Sequence, residues 1–214
     1  MSSESPLVPK DQAPPIRLAF TVADTDAEGP GLRFALWVQG CSLACPGCCN
    51  LELWPASGGH KTSATELLAE LDRAVERTPD IEGVSLLGGE PYEQDLALLP
   101  FVEGVRARGL SVMIYSGFER AELEAMNSPL TALADLIVAG RYKQEQRTTS
   151  RRWIGSENQE LIFLSDRYQP DQPCFSEPNH AEIRYNSEGE LTVVGFPFES
   201  VLKAFPKKRG HFDV

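Results

Sequence analysis

The chain has 214 residues and a mass of 23.6 kDa, enough for one well-packed domain with appended segments, and its 42% hydrophobic residues can fill a single core. A net charge of −11 and a pI near 4.8 weigh against a general affinity for nucleic acid or anionic membrane, since both are polyanions. The five cysteines, three of them crowded, do not form the dispersed even set of a secreted disulfide scaffold, the N-terminus lacks the basic and apolar regions of a signal peptide, and apolar runs are about strand length, so a cytoplasmic location without a membrane span is expected.

Residues 1–15, with Pro6, Pro9, Pro14 and Pro15 and few large apolar groups, read as a flexible arm. The domain is expected over 16–205, and 206–214, containing Lys207-Lys208-Arg209, as a frayed tail. Arg33 to Gln39 is a strand candidate, and Ala64 to Arg77 an amphipathic helix with Leu67, Leu68, Leu71, Ala74 and Val75 on one face and a Ser63/Glu66 capping box. Then follow a buried strand at Gly83–Leu87, a helix near Tyr92–Arg108, a strand at Ser111–Tyr115, a helix near Glu119–Met126 and a strand at Asp135–Val138. Strand and helix alternating in this way predict parallel βα units. Gly140 to Asn158 is polar and reads as a long surface loop, of a length that often covers a site or meets a partner. Ala181–Tyr185 and Glu190–Val194, separated by Asn186-Ser187-Glu188-Gly189, predict a C-terminal β-hairpin.

The run Gly40-Cys41-Ser42-Leu43-Ala44-Cys45-Pro46-Gly47-Cys48-Cys49-Asn50 is the most informative stretch. Three close thiolates suit a soft metal centre, and three rather than four leave one coordination position open for chemistry. Structural zinc is the competing use, but it wants four closed ligands, usually as two separated pairs. No second pair exists: Cys49 is adjacent to Cys48, and Cys174, His60, His180 and His211 stand alone. The second motif, Leu86-Leu87-Gly88-Gly89-Glu90-Pro91, falls where a buried strand ends and a helix starts, the place where ligands of α/β folds collect. Glycines there let a ligand approach the backbone, and Glu90 can accept hydrogen bonds from an ammonium group.

Together these residues resemble the radical S-adenosylmethionine superfamily, and within it the short activating enzymes of glycyl-radical proteins, most of all the activases of anaerobic ribonucleotide reductase. The resemblance includes Gly29-Pro30-Gly31-Leu32-Arg33, Val38-Gln39-Gly40-Cys41, Asn50, Trp54, Gly88-Gly89-Glu90-Pro91, Asp135 to Tyr142 and Trp153 to Gln159. It implies a partial (β/α)6 barrel of the radical SAM type. It also implies that Cys41, Cys45 and Cys48 hold one [4Fe-4S] cluster whose fourth iron chelates S-adenosylmethionine, and that an electron from a protein reductant such as flavodoxin or ferredoxin cleaves the cofactor to a 5′-deoxyadenosyl radical. By the same resemblance Gly88, Gly89 and Glu90 contact the methionine portion, and Ser116 and Asn158 are further cofactor contacts. A glycyl-radical protein is the implied partner. Modification of a ribosomal peptide or small metabolite is the alternative enzymatic use, and a non-catalytic iron–sulfur electron carrier or sensor the alternative from another class. The chain departs from the common family pattern at Glu28, Cys49, Ala139 and Ile154.

Overall fold

In the computed structural model, which describes residues 13–185, 191–196 and 198, the expected alternation builds one seven-stranded mixed sheet and a separate two-stranded hairpin. The sheet order is β3 (His60–Thr62), β1 (Ile16–Thr25), β2 (Leu32–Val38), β4 (Ile81–Gly88), β5 (Ser111–Ser116), β6 (Leu136–Ala139) and β7 (Glu160–Phe163). Strands β2, β4, β5 and β6 run parallel, whereas β1, β3 and β7 pair antiparallel at the margins. The parallel part thus holds four strands, fewer than the six units of the partial barrel that the resemblance implied. The near-continuous apolar runs of β2 and β4 suit strands covered on both faces, which is why they were legible, while the marginal β1, β3 and β7 were not.

Helix α1 (Ala64–Arg77) begins with the expected capping box, in which the Glu66 N–H donates to Ser63 Oγ at 3.2 Å and the Ser63 N–H to Glu66 Oε2 at 2.8 Å. The next helix, α2 (Asp95–Ala107), starts after a 3-10 turn at Pro91–Gln94 rather than at Tyr92. The shift follows from Pro91 and from Glu90, whose side chain caps that turn by accepting the Tyr92 N–H. Helix α3 (Arg120–Met126) is followed by a short α4 (Pro129–Leu133) that sequence reading passed over. Leu67, Leu71, Leu98, Phe101 and Val105 of α1 and α2 pack with Phe34, Leu36, Val84, Leu86, Val112 and Ile114 on one face of the sheet.

The opposite face presents Ala35, Trp37 and Leu87, then Met113, Leu136 and Val138, and is covered by Val194 and by Trp153, Ile154 and Tyr168. Arg33 is fully buried at the start of β2 on this face. Its guanidinium donates to Ser85 Oγ (2.7 Å), Ser111 Oγ (3.0 Å), Tyr168 Oη (3.1 Å) and the carbonyls of Pro30 (3.0 Å) and Val84 (2.7 Å). The hairpin consists of β8 (Ala181–Tyr185) and β9 (Leu191–Gly195), the latter one residue later than expected. Its turn, residues 1–12 of the expected arm and the expected tail at 206–214 lie outside the described residues.

The polar stretch from Gly140 to Asn158 runs over the surface as expected, with Lys143, Gln144, Glu145, Ser150, Arg151 and Glu157 exposed, but it is anchored to the body of the fold. Trp153 and Ile154 are buried, and the Lys143 N–H donates to Ser156 Oγ (3.1 Å), Glu157 N–H to the Gln146 carbonyl (2.9 Å) and Thr148 N–H to the Gly155 carbonyl (3.0 Å).

Candidate iron–sulfur centre

Parallel pairing in which Val38 of β2 faces Gly88 of β4 sets the C-terminal ends of these strands side by side, so the cysteine loop and the Gly88-Gly89-Glu90 segment leave the sheet together. The loop is closed at its root. Gly40 N–H donates to the Leu53 carbonyl at 2.8 Å and Cys41 N–H to the Trp54 carbonyl at 3.1 Å, while the Gln39 amide reaches the carbonyls of Glu52 (3.0 Å) and Pro55 (2.8 Å). The second motif crosses directly over that root: Gly89 N–H donates to the Val38 carbonyl at 2.7 Å and Glu90 N–H to the Gly40 carbonyl at 2.8 Å. A Cβ on Gly89 would overlap the Gly40 carbonyl, and Gly88 has φ +105° with Val38 backbone where a side chain would go. Close passage against the cysteine loop therefore requires both glycines, a packing reason that motif reading did not contain.

Within the loop, Ala44 (φ +46°) and Gly47 (φ +76°) turn the chain between the cysteines. Cys48 N–H donates to the Cys45 carbonyl at 3.1 Å and Asn50 N–H to Cys48 Sγ at 3.4 Å. Partial burial raises the Cys41 and Cys45 thiol pKa values, and this is opposed by the N–H groups of Leu43 and Ala44 at Cys41 and of Tyr142 at Cys45. Such donors suit sulfurs that carry thiolate charge in a metal centre. Sulfurs sharing one tetrahedral zinc lie about 3.8 Å apart, given Zn–S bonds of about 2.3 Å. Among the described residues the group with ligand atoms within 4.8 Å of one another is Asp26, His180 and Glu182, not the three cysteines. The three cysteine sulfurs therefore do not all lie within 4.8 Å of one another, unlike the ligands of one zinc.

Glu90 is buried, and its carboxylate accepts from Tyr92 N–H (3.1 Å), Ser116 Oγ (3.0 Å) and Gly117 N–H (2.8 Å), which ties the end of β4 to the end of β5. Burial pushes its pKa up to about 7 against the opposing effect of those donors. Ser116 also accepts the Phe118 N–H at 3.0 Å, so its hydroxyl serves the loop that follows β5. Asn158 lies beside Gly140, whose N–H donates to the Ser116 carbonyl at 3.1 Å; its amide donates to the Arg141 carbonyl at 2.8 Å and its Oδ1 is buried without a protein partner. The structure thus joins Glu90 directly to Ser116, while Asn158 approaches them only through Gly140.

Sequence reading missed two residues that fasten the loop. Glu93 accepts both the N–H (2.9 Å) and the hydroxyl (2.6 Å) of Ser42, and the Gln94 amide donates to the Gln39 carbonyl at 2.9 Å. Their position just after the glycine motif was the available signal. Cys174 packs near Trp153 and Tyr168 on the covered face of the sheet, and His180 pairs with Asp26 at 2.8 Å.

The structure places the three-cysteine loop at the carboxyl ends of parallel strands, beside the glycine motif. Residues 27–162 match the model of the 4Fe-4S single cluster domain family, and the chain belongs to that family. The anaerobic ribonucleoside-triphosphate reductase-activating protein of Escherichia coli K12 is 32% identical over 144 residues, covering 64% of this chain and 91% of the relative. The protein of that name from Vibrio cholerae is 34% identical over 139 residues, 61% of this chain and 87% of the relative. Among solved structures, QueE from Escherichia coli aligns over 48% of this chain and 51% of its own, with 22% identity and a TM-score of 0.35. The likeness to radical SAM activating enzymes expected from the sequence is thereby borne out, and among the described residues no helix is long and apolar enough to cross a membrane.

Proposed function

We propose that the chain reductively cleaves S-adenosylmethionine at one [4Fe-4S] cluster held by Cys41, Cys45 and Cys48, and so installs a glycyl radical on a partner of the anaerobic ribonucleotide reductase kind. The observation that supports this most strongly is the passage of Gly88-Gly89-Glu90 over the root of the cysteine loop, which brings the cluster motif and the expected cofactor motif to one spot. When bound, the cluster and its cofactor supply a 5′-deoxyadenosyl radical that takes a hydrogen atom from a glycine of the partner. The chain's own residues bind and orient. Gly88 and Gly89 leave bare backbone for the methionine portion, and Glu90, with Ser116 beside it, offers a buried carboxylate to the ammonium group. An incoming cation favours the ionised form of Glu90 and so opposes its raised pKa. Asn158, whose buried Oδ1 lacks a protein partner, is the further contact in this reading.

Ala44, Pro46 and Gly47 are exposed, so the cysteine loop is open to a reducing protein such as flavodoxin or ferredoxin. The reading also takes 16–205 as one domain, its parallel strands as part of a partial barrel, and the cytoplasm as its location. Its test is to mix the reduced protein and S-adenosylmethionine with purified anaerobic ribonucleoside-triphosphate reductase and record the electron paramagnetic resonance spectrum. A glycine-centred doublet is expected. Absence of the doublet, with deuterium passing instead from a small metabolite into 5′-deoxyadenosine, overturns the glycyl-radical reading.

A further inference from the structure

The family match ends at residue 162, yet residues beyond it reach back to the candidate iron–sulfur centre. Gly195 has φ +91°, its N–H donates to Glu28 Oε1 at 2.8 Å, and a Cβ there would lie 2.6 Å from the His180 carbonyl, so the chain turns sharply as β9 ends. The turn carries Phe196 onto the anchored segment 140–159. Its ring lies under the Arg147 guanidinium (4.2 Å to the centroid) and tilts against Tyr142 (6.2 Å between centroids), and its edge is 3.3 Å from where a Cβ of Gly155 would sit. The other side of that segment meets the cysteine loop. A Cβ on Gly47, midway between Cys45 and Cys48, would overlap the Gln144 amide, so Gln144 rests on the loop at that glycine. Backbone bonds on both sides of the ring's contact, Thr148 N–H to the Gly155 carbonyl (3.0 Å) and Glu157 N–H to the Gln146 carbonyl (2.9 Å), make the segment one tied unit.

We infer that Phe196 is a positioning residue for the iron–sulfur centre: it braces segment 140–159 from behind, and the segment in turn holds the cysteine loop through Gln144 at Gly47 and the Tyr142 backbone at Cys45. This rests on the reading that the three cysteines hold a cluster. Hydrogen bonds to ligating sulfurs and exclusion of solvent are means by which a protein sets a cluster's reduction potential and its exposure to oxygen. A residue outside the family domain therefore tunes the centre inside it through segment 140–159.

The test compares the parent protein with Phe196→Ala, Phe196→Leu and Phe196→Tyr after anaerobic reconstitution, reading iron and sulfide content, midpoint potential and the rate at which the cluster absorbance bleaches in air. Phe196→Ala is expected to shift the potential away from the parent's and bleach faster, Phe196→Leu to do the same to a smaller degree while keeping the apolar packing, and Phe196→Tyr to behave as the parent. Potentials and bleaching rates equal to the parent's in Phe196→Ala and Phe196→Leu, with only a lowered melting temperature, overturn the inference. A parent protein that takes up no iron and sulfide overturns it together with the reading on which it rests.

Discussion

Glu90 joins two tasks in one carboxylate. Its three protein donors fix the loop after β5, and in the proposed function it also faces the cofactor's ammonium group. Charge-assisted hydrogen bonds contribute about 1.5–3 kcal/mol, and about 1.4 kcal/mol is a decade of affinity. Glu90→Ala is therefore expected to retain its iron and sulfide but to bind S-adenosylmethionine at least roughly tenfold more weakly, by that conversion. Equilibrium binding to reconstituted protein checks this, and unchanged affinity removes Glu90 from the site. Glu28 gives a different kind of prediction. Its carboxyl is buried, and desolvation raises its pKa to about 8 from an ordinary 4.5, with Glu182 adding to the rise and the Gly195 N–H opposing it. The folded chain keeps a proton that the unfolded chain releases, so this group's stabilising contribution is complete below the ordinary value and is lost as pH rises through the folded one. Glu28→Gln, neutral throughout, is expected to gain in melting temperature relative to the parent between about pH 5 and about pH 9. A difference independent of pH contradicts this.

At the scale of elements, the cysteine loop and the turn after β4 act as one piece because their backbones cross without intervening side chains. Gly89→Ala forces a methyl group into the Gly40 carbonyl, an overpacking that typically costs about 1–3 kcal/mol, and the cysteine loop must shift to admit it. A lowered melting temperature with reduced iron uptake is the expected result. Ser63→Ala is the control: loss of the α1 cap costs about 1 kcal/mol but touches nothing near the cysteines, so iron uptake stays at the parent level. Equal iron uptake in both variants counts against the crossing as a determinant of the site. The chemistry of this region was legible in the sequence because cysteine spacing and a glycine pair are local patterns. The crossing was not, since it depends on Val38 facing Gly88 across strands some fifty residues apart. Likewise β1, β3 and β7 gain their places by pairing at the sheet margins, and the polar 140–159 stretch hides the fact that Trp153 and Ile154 are its anchors.

At the scale of the whole molecule, the residues beyond the family domain close the face of the sheet that α1 and α2 leave free. Tyr168 receives a hydrogen bond from buried Arg33 and packs with Met113 and with fully buried Ile154 of the family domain, and Val194 joins Trp37 and Leu87. Glu182 binds this segment to the turn after β1 by accepting from Thr25 Oγ1 (2.6 Å) and the Asp26 N–H (2.8 Å). Closure on that side leaves the carboxyl ends of β2, β4 and β5, where the cysteine loop is exposed, as the face at which cofactor, reductant and partner meet in the proposed function. The most direct test is to incubate anaerobically reconstituted protein with S-adenosylmethionine and dithionite and to quantify 5′-deoxyadenosine, alongside Cys45→Ala. The account predicts that the parent forms 5′-deoxyadenosine and methionine together while Cys45→Ala holds little iron and forms neither; a parent protein with a full [4Fe-4S] cluster that leaves S-adenosylmethionine intact, or a Cys45→Ala protein with full cluster content, would contradict it.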